Sequence, residues 1–345
     1  MSMKKAIITG PKKIEVVEVD TPRPGTDEVL VKVLSIGICG SDLHYYAGDQ
    51  IGERNIVYPM SLGHEFAGDV LEVGPGVTLK PGDRIMAEPA LGCGECEWCK
   101  GGKANLCPKT RFCGSPPVDG AFSQYYVLNK HQALPISDAM TYDDALMAEP
   151  LANLLHVMDM AKLKKGMTAC VLGCGPIGLL LLQLVKSKGA SRIFVSEKVE
   201  YRRALAERLG ADVAYDANAC DAAAEILKAT DGRGVDIAFE AAGDPSAIDQ
   251  CVRAAKRGGM VVIEGIPAET SITLDIRTAR RKELAIQFCR RCPETPVRAL
   301  KLIDSGKIDV RSLVSHHFPI DRIGEAFRIV HAHTDGAVKV VVNPW

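Results

Sequence analysis

The stretch TACVLGCGPIGLLLLQLV, residues 168–185, joins a short apolar run to a longer one through three glycines. Gly173, Gly175 and Gly178 have the spacing G-x-G-x-x-G, which between a strand and a helix is typical of a dinucleotide-binding turn. The first glycine permits the tight turn, the second lets the backbone approach a pyrophosphate, and the third allows the helix to pack closely on the strand. The stretch therefore predicts a strand, a nucleotide loop and a helix.

The residues after these glycines refine the prediction. Pro176 and Ile177 open the helix, whose N-terminus offers unpaired N–H groups to phosphates. Glu197 follows nineteen residues after Gly178, at the end of the next predicted strand. A carboxylate there would accept hydrogen bonds from a ribose diol and repel a 2′-phosphate, which favours NAD over NADP. Basic residues just beyond it, such as Arg202, could instead hold a phosphate.

The pattern of apolar runs along the chain predicts an α/β protein of two domains. From about residue 150, apolar strand-like runs alternate with helical runs, which indicates a doubly wound parallel sheet covered on both faces. Earlier residues form short β-type runs separated by proline and glycine. The tail has weaker periodicity, and we expect it to return to the first domain. The predicted division is 151–289 for the nucleotide domain, with 1–150 and 290–345 forming the β-rich one.

Composition excludes several classes of function. Lys and Arg number 42 and Asp and Glu 43, so a formal net charge of −1 provides no field for a nucleic acid. The N-terminal MSMKKAIITGPKK breaks at Gly10 and Pro11 before an export signal could form, and the longest apolar run is about half a membrane span. Twelve cysteines without a leader indicate a reducing compartment. We expect a cytoplasmic protein without membrane or nucleic-acid partners.

Four of the cysteines lie in GCGECEWCKGGKANLC, residues 92–107. A disulfide pair conflicts with the reducing compartment, and a nucleic-acid-binding ribbon conflicts with the few basic residues nearby. Four thiolates saturate a tetrahedral zinc ion and leave no position for a substrate. The spacing C-x2-C-x2-C-x7-C therefore predicts a structural zinc site formed by Cys93, Cys96, Cys99 and Cys107.

A second set of ligand types lies in ICGSDLHYY, residues 38–46, and LGHEFAG, residues 62–68. Thiolate, imidazole and carboxylate are ligands of zinc, and a catalytic site needs an open position. Taken alone, a single cysteine or histidine in such a run is more often packed in a core than bound to a metal.

These segments, with FCGSPPVDGAF (112–122) and AEPL (148–151), resemble the zinc-dependent medium-chain alcohol dehydrogenases, in particular the sorbitol and other polyol dehydrogenases. The resemblance spans nearly the whole chain. It implies a GroES-like β-rich catalytic domain and a Rossmann domain, with NAD and two zinc ions per subunit, one catalytic and one structural.

The resemblance also implies the ligands of the catalytic zinc. Cys39, His64 and Glu65 would bind the ion, and Glu149 occupies the place where many relatives supply a ligand, directly or through water. One thiolate, one carboxylate and a neutral imidazole would give a three-ligand site a net charge of zero. Neighbouring residues of a strand point to opposite faces, so His64 and Glu65 can reach one ion only if the backbone turns, which Gly63 permits.

The same resemblance implies a proton relay and a substrate site. Ser41 and His44 would carry the substrate proton away, and a histidine titrates near neutral pH. Asp42 would orient the ligand histidine, although a helix N-cap or a surface acid equally fits this residue. Tyr45 and Arg290 fall where polyol dehydrogenases contact their substrate, although the arginine could also pair with a surface acid.

We therefore expect an NAD-dependent zinc dehydrogenase that oxidises a secondary hydroxyl of a polyol or sugar alcohol to a ketose. Another member of the superfamily remains an alternative, acting on a sugar-alcohol phosphate, butanediol, threonine or a simple alcohol. A dinucleotide-binding relative without turnover is a further alternative. Relatives are often tetramers or dimers, so we expect a homo-oligomer, either a homotetramer or a dimer. We expect its binding partner to be a small-molecule polyol, the substrate.

Overall fold

The computed structural model describes residues 2–49, 51, 55–291 and 296–345. The chain divides into two compact units, one formed by Met1–Ala152 with Cys292–Trp345 and the other by Asn153–Arg291. Each unit has its own apolar core. Within the described ranges, no helix is both long enough and apolar enough to cross a lipid bilayer.

The strands are numbered in chain order. They are β1 (Ser2–Gly10), β2 (Lys13–Asp20), β3 (Glu28–Gly37), β4 (Glu65–Val73), β5 (Arg84–Ala87), β6 (Ala90–Leu91), β7 (Arg111–Phe112), β8 (Tyr125–Asn129), β9 (Ala133–Pro135), β10 (Thr168–Leu172), β11 (Arg192–Glu197), β12 (Val213–Asp216), β13 (Val235–Glu240), β14 (Ala255–Ile263), β15 (Ala285–Phe288), β16 (Val314–Pro319) and β17 (Lys339–Asn343).

The α-helices are numbered in the same way. They are α1 (Gly40–Ala47), α2 (Glu97–Lys100), α3 (Tyr142–Leu146), α4 (Ala148–Ala161), α5 (Pro176–Ser187), α6 (Glu200–Leu209), α7 (Ala222–Ala229), α8 (Pro245–Ala254), α9 (Ile276–Lys282), α10 (Pro296–Asp304) and α11 (Ile323–Ala332).

The first unit is built on a mixed sheet of order β16-β17-β3-β4-β5-β9, in which β8 also pairs with β3. The C-terminal tail supplies β16 and β17, which run parallel to each other. Strand β17 then pairs antiparallel with β3, with Val341 opposite Gly37. Gly37 in turn lies opposite Glu65 of β4. The last strand of the chain is therefore brought beside residues from its first fifth.

The second unit contains a parallel sheet of order β12-β11-β10-β13-β14-β15. The chain runs outward from β10 to β12 and then returns to β13 on the other side of β10, so the order reverses between β10 and β13. This topology confirms the predicted doubly wound α/β class. The edge strand β12 has a weak signal in the sequence, because VAYD is short, ends in an acid and is only half-buried.

A carboxylate at the amino end of this sheet connects three strands. Asp236 of β13 accepts hydrogen bonds from the N–H and hydroxyl of Thr168 on β10, both at 2.8 Å. It also pairs with Arg233 at 2.8 Å and with Lys256 of β14 at 2.7 Å. Burial raises the pKa of Asp236, but the hydrogen bonds from Arg233, Lys256 and Thr168 outweigh it and hold the pKa well below its usual range.

Replacing this carboxylate should destabilise the second unit in a pH-dependent way. We expect Asp236→Asn to lower the free energy of unfolding by about 2 kcal/mol at pH 7, because charge-assisted hydrogen bonds are lost. The folded-state pKa is depressed, so this stabilisation is full above the unfolded pKa near 4 and is lost as the pH falls towards the folded value. Urea unfolding of parent and variant between pH 7 and pH 3 measures the difference.

The matched control is Glu207→Gln, which removes an exposed carboxylate from α6. It should leave the urea midpoint unchanged across the same range. A difference between the Asp236→Asn variant and the parent that stays constant down to pH 3 would contradict the role given to the Asp236 charge.

Candidate metal centre and cofactor loop

Three candidate zinc ligands converge in the first unit. One donor atom from each of Cys39, His64 and Glu65 lies within 4.8 Å of the other two. Cys39 is the residue before α1, and Glu65 is the first residue of β4. Gly63 adopts a φ of +94°, so His64 lies on a turn outside the regular strand. The turn allows two consecutive side chains to face the same point.

The donor set fits a divalent cation. Both His64 and Glu65 are buried, with 4% and 1% of their surface exposed. Glu65 Oε1 and His64 Nδ1 are buried atoms that find no hydrogen-bond partner among the residues the structure describes. An unsatisfied carboxylate oxygen in the interior is costly unless a cation meets it. A thiolate, an imidazole and a carboxylate together are the ligand types that zinc prefers.

Asp42 holds the two ligand segments together. Its Oδ2 accepts the Cys39 N–H at 3.0 Å, and its Oδ1 accepts the Gly63 N–H at 3.1 Å. The same Oδ1 lies 3.5 Å from His64 Nδ1. Burial lowers the pKa of His64, but Asp42 and Cys39 outweigh it and raise the pKa well above its ordinary value. Asp42 is therefore neither the N-cap of α1, which is Cys39, nor a surface acid: it is buried in the first turn, where it accepts the N-cap N–H and contacts the histidine.

Lys339 is a residue of this centre that sequence reasoning missed. It is the first residue of β17, only 2% exposed, and its Nζ contacts Glu65 Oε2 and donates to the Ile38 carbonyl at 3.2 Å. Burial lowers the pKa of Lys339, but the negative charges of Glu65, Cys39 and Glu149 outweigh it and raise the pKa. The only sequence signal is a lysine inside the apolar run AVKVVVN.

Gly37 makes room for this ion pair. A Cβ at position 37 would lie 2.6 Å from Glu65 Oε2 and 3.3 Å from Lys339 Cδ. Real Cβ atoms essentially never approach as closely as 2.6 Å, the 3.3 Å contact is also tight, and both neighbours are buried in a packed interior. The glycine at this position is therefore required for the close approach of Glu65 and Lys339 rather than for a turn.

The other predicted catalytic residues, Glu149, Ser41 and His44, lie on helices of the first unit. Glu149 is buried in the first turn of α4, outside the group of donor atoms within 4.8 Å, and close enough to Lys339 to raise its pKa. Ser41 and His44 are three residues apart on α1 and so share one face of the helix. The His44 Nδ1 lies 3.6 Å from Asp49 Oδ2.

The two predicted substrate residues belong to different units. Tyr45 of α1 is buried, and its hydroxyl lies 3.0 Å from Ser115 Oγ. Arg290 lies in the second unit, exposed just beyond β15. Ser115 lies in the segment FCGSPPVDGAF, residues 112–122, which carries part of the resemblance to the family.

That segment also packs against the metal ligands. The Phe112 ring lies 5.1 Å from the His64 ring, measured between centroids. The Cys113 thiol donates to the Gly63 carbonyl at 3.3 Å. Burial raises the pKa of Cys113 to about 12, so this sulfur stays a neutral thiol that supports the turn.

The four-cysteine segment forms a separate cluster in the first unit. One sulfur from each of its cysteines lies within 4.8 Å of the others, and none of the described cysteines forms a disulfide. The Cys93 N–H points to Cys107 Sγ at 3.4 Å. Four thiols at this separation fit a closed tetrahedral zinc site. The cluster is formed by Cys93, Cys96, Cys99 and Cys107.

The glycine loop of the second unit has the expected geometry. Gly173 adopts a φ of +98°, and a Cβ there would lie 2.7 Å from the Ala242 nitrogen. A Cβ at Gly178 would overlap the Gly173 carbonyl. Gly175 caps α5, with Pro176 as the first helical residue, and a Cβ at Gly175 would meet nothing within 4 Å. Space therefore remains at the helix N-terminus, where a phosphate can approach the backbone.

Glu197 lies beside this loop. Its Oε2 accepts the Cys174 N–H at 2.7 Å and its Oε1 accepts the Val199 N–H at 3.0 Å. These bonds hold the carboxylate at the carboxyl end of β11, next to the glycine loop that precedes α5. The predicted ribose-binding acid and the predicted phosphate loop are therefore in direct contact.

The basic residues beyond Glu197 are engaged elsewhere. Lys198 pairs with Asp244 at 3.1 Å. Arg203 pairs with Asp216 at 3.1 Å and donates to the Glu197 carbonyl at 2.9 Å. Arg202 is buried on α6. Lys198 and Arg203 thus already have carboxylate partners in place of a 2′-phosphate.

Comparison with known proteins identifies the family of the chain. Residues 25–138 match the alcohol dehydrogenase GroES-like domain, and residues 176–305 match the zinc-binding dehydrogenase family. The chain therefore belongs to the zinc-dependent medium-chain alcohol dehydrogenase superfamily. Within that superfamily it is close to the polyol dehydrogenases: it is 36% identical to sorbitol dehydrogenase of Bacillus subtilis strain 168 over 99% of its length and 98% of that protein.

Other relatives have different named activities. The chain is 36% identical to L-threonine 3-dehydrogenase of Thermococcus kodakarensis, over 96% of its length and 94% of that protein. Its fold is similar to that of a Sinorhizobium meliloti 1021 protein of the zinc-binding dehydrogenase type, solved with bound NADP, with a TM-score of 0.91, 34% identity and full coverage of both chains. These relatives share the family, but they are named for different substrates, and one of them was solved with NADP.

Removing Lys339 should destabilise the first unit. We expect Lys339→Met to lower the free energy of unfolding of the chelator-treated protein by about 3–5 kcal/mol, because Glu65 would be left as a buried charge without a cation. Lys339→Arg should retain most of the stability. Thermal unfolding of the two variants and the parent, all treated with chelator, measures the effect.

Lys301→Met, an exposed lysine on α10, is the matched control and should unfold like the parent. If Lys339→Met also unfolded at the parent temperature, the charge of Lys339 would have no part in holding Glu65.

Proposed function

We propose that this enzyme oxidises a secondary hydroxyl of a polyol or sugar alcohol to a ketone, with NAD as the acceptor of hydride. The observation that carries the proposal is the group formed by Cys39, His64 and Glu65, with Glu149 outside it. Three protein ligands leave a fourth position of a zinc ion for the substrate hydroxyl, as a catalytic site requires. A purely structural ion would be closed by a fourth side chain.

The residues of the first unit have distinct tasks in this reaction. When bound, zinc would supply a Lewis acid for the substrate hydroxyl, and NAD would accept the hydride from the carbinol carbon. Asp42 orients His64 through a contact of 3.5 Å and ties the ligand turn to α1. Ser41 and His44 share one face of α1 and form a path for the hydroxyl proton. The His44 side chain is 21% exposed, so it can pass that proton to solvent.

Lys339 changes the net charge of the metal centre from the value that the ligands alone would give. Cys39 and Glu65 together balance the charge of a zinc ion, which gives the net charge of zero expected from the sequence. The lysine ammonium on Glu65 adds one positive charge to the centre. A more positive centre withdraws more electron density from the substrate oxygen, so it favours loss of the hydroxyl proton.

The cofactor proposal is NAD with two zinc ions per chain. Glu197 beside the glycine loop would bind the ribose diol, and the pairing of Lys198 and Arg203 with carboxylates leaves less charge for a 2′-phosphate. The catalytic ion would lie at the three-ligand group and the structural ion at the four-cysteine cluster. The free state of the described cysteines also supports a reducing, cytoplasmic location, and we retain a homo-oligomer, a tetramer or a dimer, as the expected assembly.

The polyol assignment rests on similarity and on the polar groups near the ligands. The sorbitol dehydrogenase relative covers nearly the whole chain. Tyr45 and Ser115 place two hydroxyls within 3.0 Å of each other in the unit that contains the metal ligands. A second candidate, threonine, is favoured by the L-threonine 3-dehydrogenase relative at the same identity.

A substrate panel tests the proposal. We expect zinc-replete enzyme with NAD to oxidise sorbitol or xylitol with a kcat/KM at least about 100-fold above that for threonine, because a site that hydrogen-bonds several hydroxyls discriminates strongly. The panel includes 2,3-butanediol, galactitol phosphate and ethanol. Higher activity on threonine or on the phosphate would replace the polyol assignment, and NADH binding without any turnover would favour a non-catalytic relative.

The choice of cofactor is tested at Glu197. We expect Glu197→Gln to raise the NADP-to-NAD ratio of kcat/KM by about 10- to 100-fold, since the amide keeps an acceptor but removes the repulsion of a 2′-phosphate. Glu200→Gln, an exposed acid in the first turn of α6, is the control and should leave the ratio unchanged. An unaltered ratio in Glu197→Gln would mean that another residue selects the cofactor.

A further inference from the structure

Glu240, the last residue of β13, is a buried acid that has no role in the proposed oxidation of the alcohol. None of its surface is exposed. No lysine, arginine or histidine within the described parts of the chain forms an ion pair with it, and its Oε2 has no hydrogen-bond partner. An isolated carboxylate is expensive to bury, so the bonds that it does make must explain why the fold keeps it.

The hydrogen bonds to carboxylate oxygen Oε1 all come from one turn. We call residues 241–244 the β13 turn. Oε1 of Glu240 accepts the N–H of Ala242 at 2.8 Å and that of Gly243 at 2.7 Å, with the N–H of Asp244 at 3.5 Å. Burial raises the pKa of Glu240, and these N–H groups partly offset the rise. The carboxylate thus fixes the direction of successive backbone N–H groups just beyond the end of the strand.

Glu240 also connects the β13 turn to the turn after β14, residues 264–266, which we call the β14 turn. Its carbonyl accepts the N–H groups of Glu264 at 3.0 Å and Gly265 at 3.2 Å. A Cβ at Gly265 would lie 2.5 Å from Glu240 Oε2, and one at Gly243 would lie 2.6 Å from the Ile266 carbonyl oxygen. The two turns and the carboxylate therefore pack without room for a side chain between them.

The same β13 turn lies against the nucleotide loop. The Ala241 N–H donates to the Leu172 carbonyl at 2.8 Å. A Cβ at Gly173 would lie 2.7 Å from the Ala242 nitrogen and 2.8 Å from the Ala241 carbonyl carbon. The first glycine of the phosphate loop therefore rests on the backbone that Glu240 holds.

The sheet order indicates which half of the cofactor these turns face. In a doubly wound sheet the dinucleotide binds at the carboxyl ends of the strands, where the strand order reverses, with one mononucleotide on each half. The order reverses between β10 and β13. Glu197, the proposed ribose ligand that distinguishes NAD from NADP, belongs to the β10–β12 half, which would therefore take the adenosine. The β13 and β14 turns belong to the half left for the nicotinamide.

We infer that Glu240 is a positioning residue for the nicotinamide end of the bound cofactor. Its carboxylate acts through the β13 and β14 turns, whose backbone would form the wall of the nicotinamide site, and does not touch the reacting atoms. The inference rests on the proposed dinucleotide binding. It requires the hydrogen bonds to the N–H groups of Ala242 and Gly243, and does not require a negative charge.

The test compares NADH with ADP-ribose, which lacks the nicotinamide, on zinc-replete full-length protein. Glu240→Met preserves volume but accepts no hydrogen bond, and should raise the Kd for NADH about tenfold, the loss expected when the hydrogen bonds to the β13 turn are removed. The Kd for ADP-ribose should stay within about threefold of the parent. Glu240→Gln keeps an acceptor oxygen and should bind NADH like the parent. Nicotinamide fluorescence measures the Kd for NADH, and displacement of NADH measures the Kd for ADP-ribose.

Controls separate this inference from the proposed function. Glu269→Met, an exposed acid further along the chain, should bind both ligands like the parent. If Glu240→Met does not fold, Gly265→Ala displaces the same turns while the carboxylate stays, and should show the same selective loss. An equal loss of both ligands, no loss, or a Gln variant as weak as the Met variant would overturn the inference. A parent that binds neither NADH nor NADPH would instead overturn the proposed function.

Discussion

The contact between Lys339 and Glu65 is the interaction on which the metal centre depends. A buried carboxylate and a buried ammonium are each costly alone, so each residue requires the other. Lys339 occupies one oxygen of Glu65, which leaves the second oxygen for an ion. The contact exists because β17 pairs with β3, which pairs with β4. The C-terminal strand thereby determines how a ligand from residue 65 is presented.

In the second unit, the cofactor loop depends on close backbone packing, as the metal centre of the first unit depends on the ion pair. Gly173, Gly243 and Gly265 lie where a Cβ would meet a neighbouring turn, so the turns after β10, β13 and β14 form one packed layer. Glu240 connects two of these turns through its carboxylate and its carbonyl. A cofactor that binds to the glycine loop would therefore meet a surface whose shape is fixed by glycines and one buried acid.

Much of this could be predicted from local sequence because the signals are local. The glycine spacing predicted the turn and α5, and the alternation of apolar runs predicted the parallel sheet. The cysteine spacing predicted the four-sulfur cluster, since ligands within sixteen residues need only a short loop to meet. By contrast β12 has only a weak sequence signal, because an edge strand that is half-buried lacks an apolar run. The substrate and relay roles of Tyr45, Arg290, Ser41 and His44 remain predictions.

The sequence by itself determined the α/β class, the family and the types of ligand, because periodicity, spacing and motifs are properties of neighbouring residues. Only the tertiary structure decided which distant residues meet. In the sequence, Lys339 is a single polar residue in an apolar strand and Glu240 is the last residue of another strand. Sheet pairing and turn packing give each of them its partners. Both are buried charges, and the free energy of a buried charge depends on three-dimensional neighbours that no local pattern encodes.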